Sequence, residues 1–195
     1  IWRWLQTFAA NNTKPRHMKV HITLLIALLP VLALAQNTRI YTIQGAGNSS
    51  PLVSQNVTTE GVVYATFQGS GFLSGFFIQD TLGDGNPLTS DGILVYNPGG
   101  TTVNVGDYVV VTGQVQEYFD LTELGNVTNV TITGTVATMP APVPVTLPVT
   151  SMAQLEALEG MYVTFPQNLV VTDNYNLGKY GEFTLATTRQ FIPTN

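Results

Sequence analysis

The chain has no cysteine, and both of its histidines, His17 and His21, fall near the start of its 195 residues. The first absence excludes a disulfide framework and any cysteine-ligated metal. The second leaves everything after residue 35 without an imidazole to activate water for phosphodiester hydrolysis. Fixed cations are scarce as well, with seven Lys and Arg against twelve Asp and Glu. Arg3, Lys14, Arg16 and Lys19 precede residue 36, so the remainder sets Arg39, Lys179 and Arg189 against all twelve acids, a net charge of 3 − 12 = −9. Such a surface repels phosphate, and the Lys/Arg cluster by which proteins grip a nucleic-acid backbone is missing. Acidity of this kind fits solubility, salt tolerance or calcium binding. Nor is there a long apolar run. Leu24 to Leu34 is about half of the ~20 residues that cross a bilayer, so no permanent membrane anchor is expected.

That short apolar run has a different use. Met18 is followed by Lys19 and His21, then by the apolar segment, then by Ala33-Leu34-Ala35, which meets the small-x-small rule for signal peptidase. Residues 18–35 are therefore expected to be a signal peptide, cleavage leaving Gln36 first and the protein secreted, extracellular or periplasmic. Residues 1–17 form an upstream tail that holds both tryptophans. They read as over-extended translation or a fragment end and are set aside from the fold.

What the rest does have is period-2 text. Gln55 to Phe67, Gly75 to Asp80, Gly92 to Tyr96, Asp107 to Glu117 and Asn126 to Ile132 are rich in Val, Ile, Thr, Tyr and Phe, with Gly, Asn, Asp or Pro between them. Five strands at this spacing suit a small closed barrel or a β-sandwich, and strand count does not separate the two. The prolines of Pro140-Ala-Pro-Val-Pro144, with Pro148, predict a linker over 139–149. Ser151-Met-Ala-Gln154 has capping-box spacing, which predicts one short helix with Leu155 and Leu158 on its packing face and Gly160 at its stop. Beyond it Glu159-Gly-Met-Tyr-Val163 echoes Glu60-Gly-Val-Val63, and Gly181-Glu-Phe-Thr184 echoes Gly75-Phe-Phe-Ile78. A weak internal repeat would make residues 150–195 the first half of a second barrel.

Two groups of residues are candidates for binding. The loop Asp80-Thr-Leu-Gly-Asp-Gly-Asn-Pro-Leu-Thr-Ser-Asp91 offers Asp80, Asp84, Asn86 and Asp91 as oxygen ligands for calcium. Its spacing is not that of an EF-hand, and Asp-Gly and Asn-Pro also build turns with no ion present. Aromatic residues near strand ends, namely Tyr64, Phe67, Phe72, Tyr96, Tyr118 and Phe119, could stack unpaired bases. Most large rings in a barrel of this size belong to its core, and Phe76 with Ile78, or Phe77 with Tyr96, fits that role. Asn-x-Ser/Thr at Asn48, Asn56, Asn126 and Asn129 is incidental in so Thr-rich a chain. Twelve carboxylates scattered over loops and strand ends form no catalytic constellation, and no catalytic residue is assigned.

Leu158-Glu-Gly-Met-Tyr-Val-Thr-Phe-Pro166 and Asp173-Asn-Tyr-Asn-Leu-Gly-Lys-Tyr-Gly-Glu182 resemble segments of secreted bacterial nucleases. The likeness runs from about Tyr41 to Asn195 and takes in Phe76-Phe-Ile-Gln-Asp80, Gly83-Asp-Gly-Asn-Pro87, Ser90-Asp-Gly-Ile-Leu-Val-Tyr96 and Val105 to Tyr118. In that family such segments lie between an N-terminal OB-like domain and a C-terminal DNase-I-like catalytic domain of the endonuclease/exonuclease/phosphatase type. The resemblance implies an all-β chain, with an OB-like five-stranded barrel over 36–138 followed by a truncated second β-domain over 150–195. It also implies a non-catalytic accessory role that positions the catalytic domain or its nucleic-acid substrate, with Tyr64, Phe67, Tyr118 and Phe119 as base-stacking candidates. Catalytic metal is then expected only in the domain that would follow Asn195. A calcium-, glycan- or protein-binding surface module without nuclease activity is the alternative, favoured by the acidity.

Overall fold

The computed structural model describes residues 37–190 other than 70, 72 and 181. The upstream tail, the signal peptide, Phe72 and the Gly181 that opens the second echo lie outside the described residues. Five strands close a barrel: β1 (Asn56–Phe67), β2 (Gly75–Gln79), β3 (Gly92–Tyr96), β4 (Asp107–Tyr118) and β5 (Leu121–Thr135). Their order is β1-β2-β3-β5-β4, with β4 returning to β1. All pairs are antiparallel except β3 with β5. A five-stranded closed barrel with that one parallel seam is the OB-like Greek key, which separates it from a sandwich.

The alternation read in the sequence becomes inside and outside. Along β4, Val109, Val111 and Val115 point inward while Val110, Thr112, Gln114 and Gln116 face out. Phe76, Ile78, Ile93, Val95 and Leu124 join them in a core from which water is excluded. Tyr96 is not part of it, being 41% exposed on the outer wall.

One end of the barrel is plugged by α1 (Ile40–Gln44), whose Ile40 and Ile43 are fully buried in the same core. This helix was not expected, because Ile-Tyr-Thr-Ile-Gln is β-branched and a poor helix former. Tertiary burial overrides the propensity, and the Ser50 hydroxyl caps the Ile43 carbonyl.

The expected fifth strand, Asn126 to Ile132, covers only the outer half of β5. Leu121 to Gly125, the part that pairs with β3 and closes the barrel, precedes it. Asn126, at φ 44°, marks the bend between the two halves.

Among the described residues three short helices stand where one was expected: α1, α2 (Ala153–Glu156) and α3 (Leu177–Tyr180). Ser151 does not cap α2. Met152 stands at the N-cap without a side-chain bond, and Gln154 Oε1 instead accepts from the Thr150 amide at 2.8 Å. Nor does Leu155 form a packing face, since it is 39% exposed and Ala157 is the buried residue.

The Pro-rich stretch is not a free linker. Its β6 (Val143–Pro144) pairs in parallel with β7 (Val163–Thr164), and Val145 is buried. The Leu147–Pro148 peptide is cis. Beyond lies one more antiparallel pair, β8 (Val170–Asp173) with β9 (Thr184–Ala186). Glu60-Gly61 sits within β1 and Glu159-Gly160 in a turn after α2, so that echo is one of text and not of conformation. Among the described residues no helix is long and apolar enough to cross a membrane.

Candidate functional site: a groove on the barrel wall and the turn docked beside it

Outward-facing side chains of three strands meet in a groove of about 440 Å³. Leu94 and Tyr96 come from β3, Gln116 and Tyr118 from β4, and Glu123 from β5, with Leu73 of the β1–β2 loop at the mouth. Pairing places Leu94 beside Glu123 and Glu123 beside Gln116, so one row of the sheet carries an apolar, an acidic and an amide group. Glu123 is only 5% exposed, and burial pushes its carboxyl above the usual range. Among the described residues no lysine or arginine lines the groove. Such a surface can stack a flat ring and hydrogen-bond its edge, but it cannot neutralise a phosphate.

The β4–β5 hairpin rises at the groove's rim. Its two turn residues, Phe119 and Asp120, both have positive φ, 51° and 64°. That is the type I′ arrangement, which favours Asn-Gly and costs a residue with a Cβ roughly 1–2 kcal/mol. Phe119 is nonetheless 88% exposed and meets Tyr118 edge to face at 4.7 Å. A large apolar side chain held in a disfavoured backbone and left in water points to a contact surface.

The other two stacking candidates are elsewhere. Tyr64 stacks on Tyr162 at 5.6 Å and also touches Phe77, while its hydroxyl donates to the Gly160 carbonyl. Phe67 packs edge-on against the same Phe77. The structure therefore brings Tyr96 and Tyr118 together in the groove, sets Phe119 against Tyr118 beside it, and keeps Tyr64 and Phe67 in a separate cluster. Leu73, Leu94, Gln116 and Glu123 escaped the sequence reading. Alternation along β3 and β4 would have found Leu94 and Gln116 as the same-face neighbours of Tyr96 and Tyr118.

The residues Glu159 to Tyr162 are fastened to the barrel at four points. Tyr64 Oη donates to Gly160 O at 2.6 Å, and Ser90 Oγ donates to Glu159 O at 2.5 Å. The Thr122 amide donates to Glu159 Oε1, and the Tyr162 amide to Gln79 Oε1, both at 2.8 Å. Gly92 makes the approach possible, because a Cβ there would collide with the Gly160 carbonyl. Glu159 also lines an acidic hollow with Glu156 and Asp120, and Glu117 is near enough to act on its carboxyl. Desolvation, with the Glu156 and Glu117 carboxylates, pushes Glu159 up to about 7.

The acidic loop is braced by its own residues. Asp80 Oδ1 pairs with Arg39 and caps the Leu82 amide. Asp84 accepts from the Asn86 amide and from Thr89 Oγ1, and Asn86 Oδ1 from the Leu88 amide. Asp91 lies against Gly83, and its carboxyl is raised by burial and by Asp84 and Asp80. As these side chains stand, no three acidic groups among the described residues are close enough together to enclose a metal ion.

No family model and no curated protein matches the chain. Among solved structures it is similar to the hypothetical protein ygiW from E. coli, at 19% identity and a TM-score of 0.30, over 41% of this chain and 76% of that one.

Proposed function

We propose that the chain is the non-catalytic accessory region of a secreted nuclease, in which the OB-like barrel holds and orients the chain that follows it. The docked turn carries this reading. Residues 158–166, where the resemblance to nucleases is strongest, include the turn bonded to β1, β2 and β5 and to the loop before β3. A segment fixed at four points transmits the barrel's orientation to whatever is attached beyond it, as an accessory domain requires. The groove is the substrate-facing surface in this reading. Tyr96, Tyr118 and Phe119 offer stacking worth about 1–3 kcal/mol per base. The absence of histidine after residue 21 supports the non-catalytic part.

The test is twofold. The gene downstream of Asn195 should encode a DNase-I-like domain with an Asn, Glu, Asp and His constellation. The purified 195-residue chain, for its part, should leave DNA and RNA intact with magnesium, manganese or calcium. Repeats or a cell-wall anchor downstream, or metal-dependent cleavage by the chain itself, would sink the proposal.

A second reading is favoured by one observation, a groove lined among the described residues by aromatic, amide and acidic side chains and no cation. Aromatic walls with Gln116 and Glu123 suit a neutral sugar ring, whose hydroxyls bond amide and carboxyl groups while its apolar face stacks. A module of this kind binds glycan at the cell surface. Titration with a neutral oligosaccharide and with single-stranded DNA at low and high salt separates the two. Binding of the sugar alone, indifferent to salt, would decide for the glycan module.

A further inference from the structure

Glu123 lines the groove with only 5% of its surface exposed, and among the described residues no donor or cation reaches its carboxyl. Pairing with β3 and β4 holds its backbone and leaves the side chain without a bond. A carboxylate taken out of water without a donor is costly, so native structures seldom keep one unless something binds it. The neighbours narrow what that ligand is. Tyr96 and Tyr118 also line the groove, and both keep ring surface exposed for stacking. Gln116 is the β4 residue paired with Glu123. Its Nε2 donates to Gln114 Oε1 at 3.3 Å and has a second proton to give. One groove thus holds the two acceptor oxygens of a carboxylate, an amide donor and flat rings.

We propose that the groove takes a guanine base of a single strand, with Glu123 accepting from its ring N–H and exocyclic amine, Gln116 donating to its carbonyl oxygen, and Tyr96 and Tyr118 stacking on its ring. The inference rests on the groove being the substrate-facing surface and adds which base that surface prefers. The edges of the bases decide the choice. An ionised carboxyl can only accept, so both of its oxygens are used only where two donors stand side by side. Guanine presents an amine, a ring N–H and then a carbonyl along its pairing edge. Adenine and cytosine set their amine beside an unprotonated ring nitrogen, whose lone pair would face a carboxylate oxygen. Thymine and uracil flank a lone N–H with two carbonyls. Guanine alone matches both oxygens of Glu123, and its carbonyl gives Gln116 an acceptor. A guanidinium would satisfy Glu123 but offers Gln116 nothing to bond. Because the chain is acidic, the phosphates of a strand oppose binding, and affinity should hold or rise as salt screens them.

The experiment is titration of the purified 195-residue chain with a short oligothymidylate carrying guanine, adenine, cytosine or thymine at one central position. The guanine strand should bind about tenfold more tightly than the others, the discrimination a bidentate base contact provides. Free nucleosides repeat the test without phosphate and without altering the protein. Guanosine should compete, inosine, which lacks the amine, should compete about tenfold less well, and N1-methylguanosine, which lacks the ring donor, should not compete. Glu123→Gln should remove most of the guanine preference without lowering the unfolding midpoint, because a neutral group of the same shape replaces a desolvated carboxylate. Tyr118→Ala should weaken all four strands alike. Equal affinity for the four strands, lowered in Tyr118→Ala, would overturn the guanine inference and leave a base-stacking surface standing. No affinity for any strand would remove that surface and the inference together. Binding of arginine amide or of a neutral oligosaccharide in place of guanosine would overturn it too, and assign Glu123 to a peptide or a sugar.

Discussion

Tyr64 and Gly160 are 96 residues apart in sequence and joined by a single hydrogen bond, the phenol donating to the carbonyl oxygen at 2.6 Å. Burial pushes the Tyr64 hydroxyl well above its ordinary range, so it stays protonated and a donor through neutral and mildly alkaline pH. The bond fixes a glycine with φ 64°, the position at which the chain leaves α2 and turns along the barrel. Tyr64→Phe keeps the stacking on Tyr162 and removes only the donor, leaving a part-buried carbonyl unpaired. We expect a loss of about 1–2 kcal/mol, measured by denaturant unfolding. Amide exchange should quicken at Met161 and Tyr162 before it quickens in β4, and uniform change across both would show that the bond does not govern local opening.

Such long-range docking explains what the sequence did and did not disclose. β1, β2, β3 and β4 were legible because each has one face in the core, and burial of alternate residues leaves a period of two. Leu121 to Gly125 was not legible. Leu-Thr-Glu-Leu-Gly has modest strand propensity and enters the sheet only because β3 is waiting beside it. The α1 helix was hidden for the converse reason, a β-branched segment bent into a plug by the hole it fills. The groove was half visible. Tyr118 and Phe119 stood out as aromatics, while Glu123 gains meaning only from its pairing with Leu94 and Gln116. Tyr64 looked like an exposed ring because nothing in the sequence near it predicts Tyr162 or Gly160.

A second expectation concerns Gly92. Its missing Cβ admits the Gly160 carbonyl, and its own carbonyl accepts from Gln44 Nε2 at 2.7 Å. Gly92→Ala should force the turn off the barrel while leaving the strands paired, because the obstructed atoms are backbone and cannot swing aside. The loss should be about 1–3 kcal/mol, with new proteolytic cleavage between residues 145 and 165 as its signature. Cleavage unchanged from the parent chain would show that the turn tolerates displacement.

The β4–β5 turn should trade stability against binding. Replacing Phe119-Asp120 with Asn-Gly relieves two positive-φ positions and should stabilise the chain by about 1–2 kcal/mol. The same change removes the exposed ring beside the groove, so affinity for a stacking ligand should fall by about 1–3 kcal/mol, or roughly five- to 150-fold. A variant both more stable and equally good at binding would mean that Phe119 takes no part in the contact.

Acid should stabilise the docked turn. Glu159, held at about 7 by desolvation and by Glu156 and Glu117, binds its proton in the folded chain at a pH where the unfolded chain, at the ordinary 4.5 of a glutamate carboxyl, has released it. Below 4.5 both states are protonated and the turn has its full stability. Between 4.5 and 7 the folded chain binds more protons than the unfolded, so stability falls as pH rises, and above 7 both are ionised and the loss is complete. Glu123 and Glu156 are raised too and act in the same direction. Allowing for screening of a partly solvated carboxyl, the Glu159 share is on the order of 1–2 kcal/mol. The melting midpoint should therefore be higher at pH 5 than at pH 8. Glu159→Gln keeps an acceptor for the Thr122 amide and discards the charge, so it should raise the midpoint at pH 8, leave that at pH 5 nearly unchanged and flatten the profile. An equal pH slope in this variant would place the titration on other carboxylates and leave Glu159 as a bracket alone.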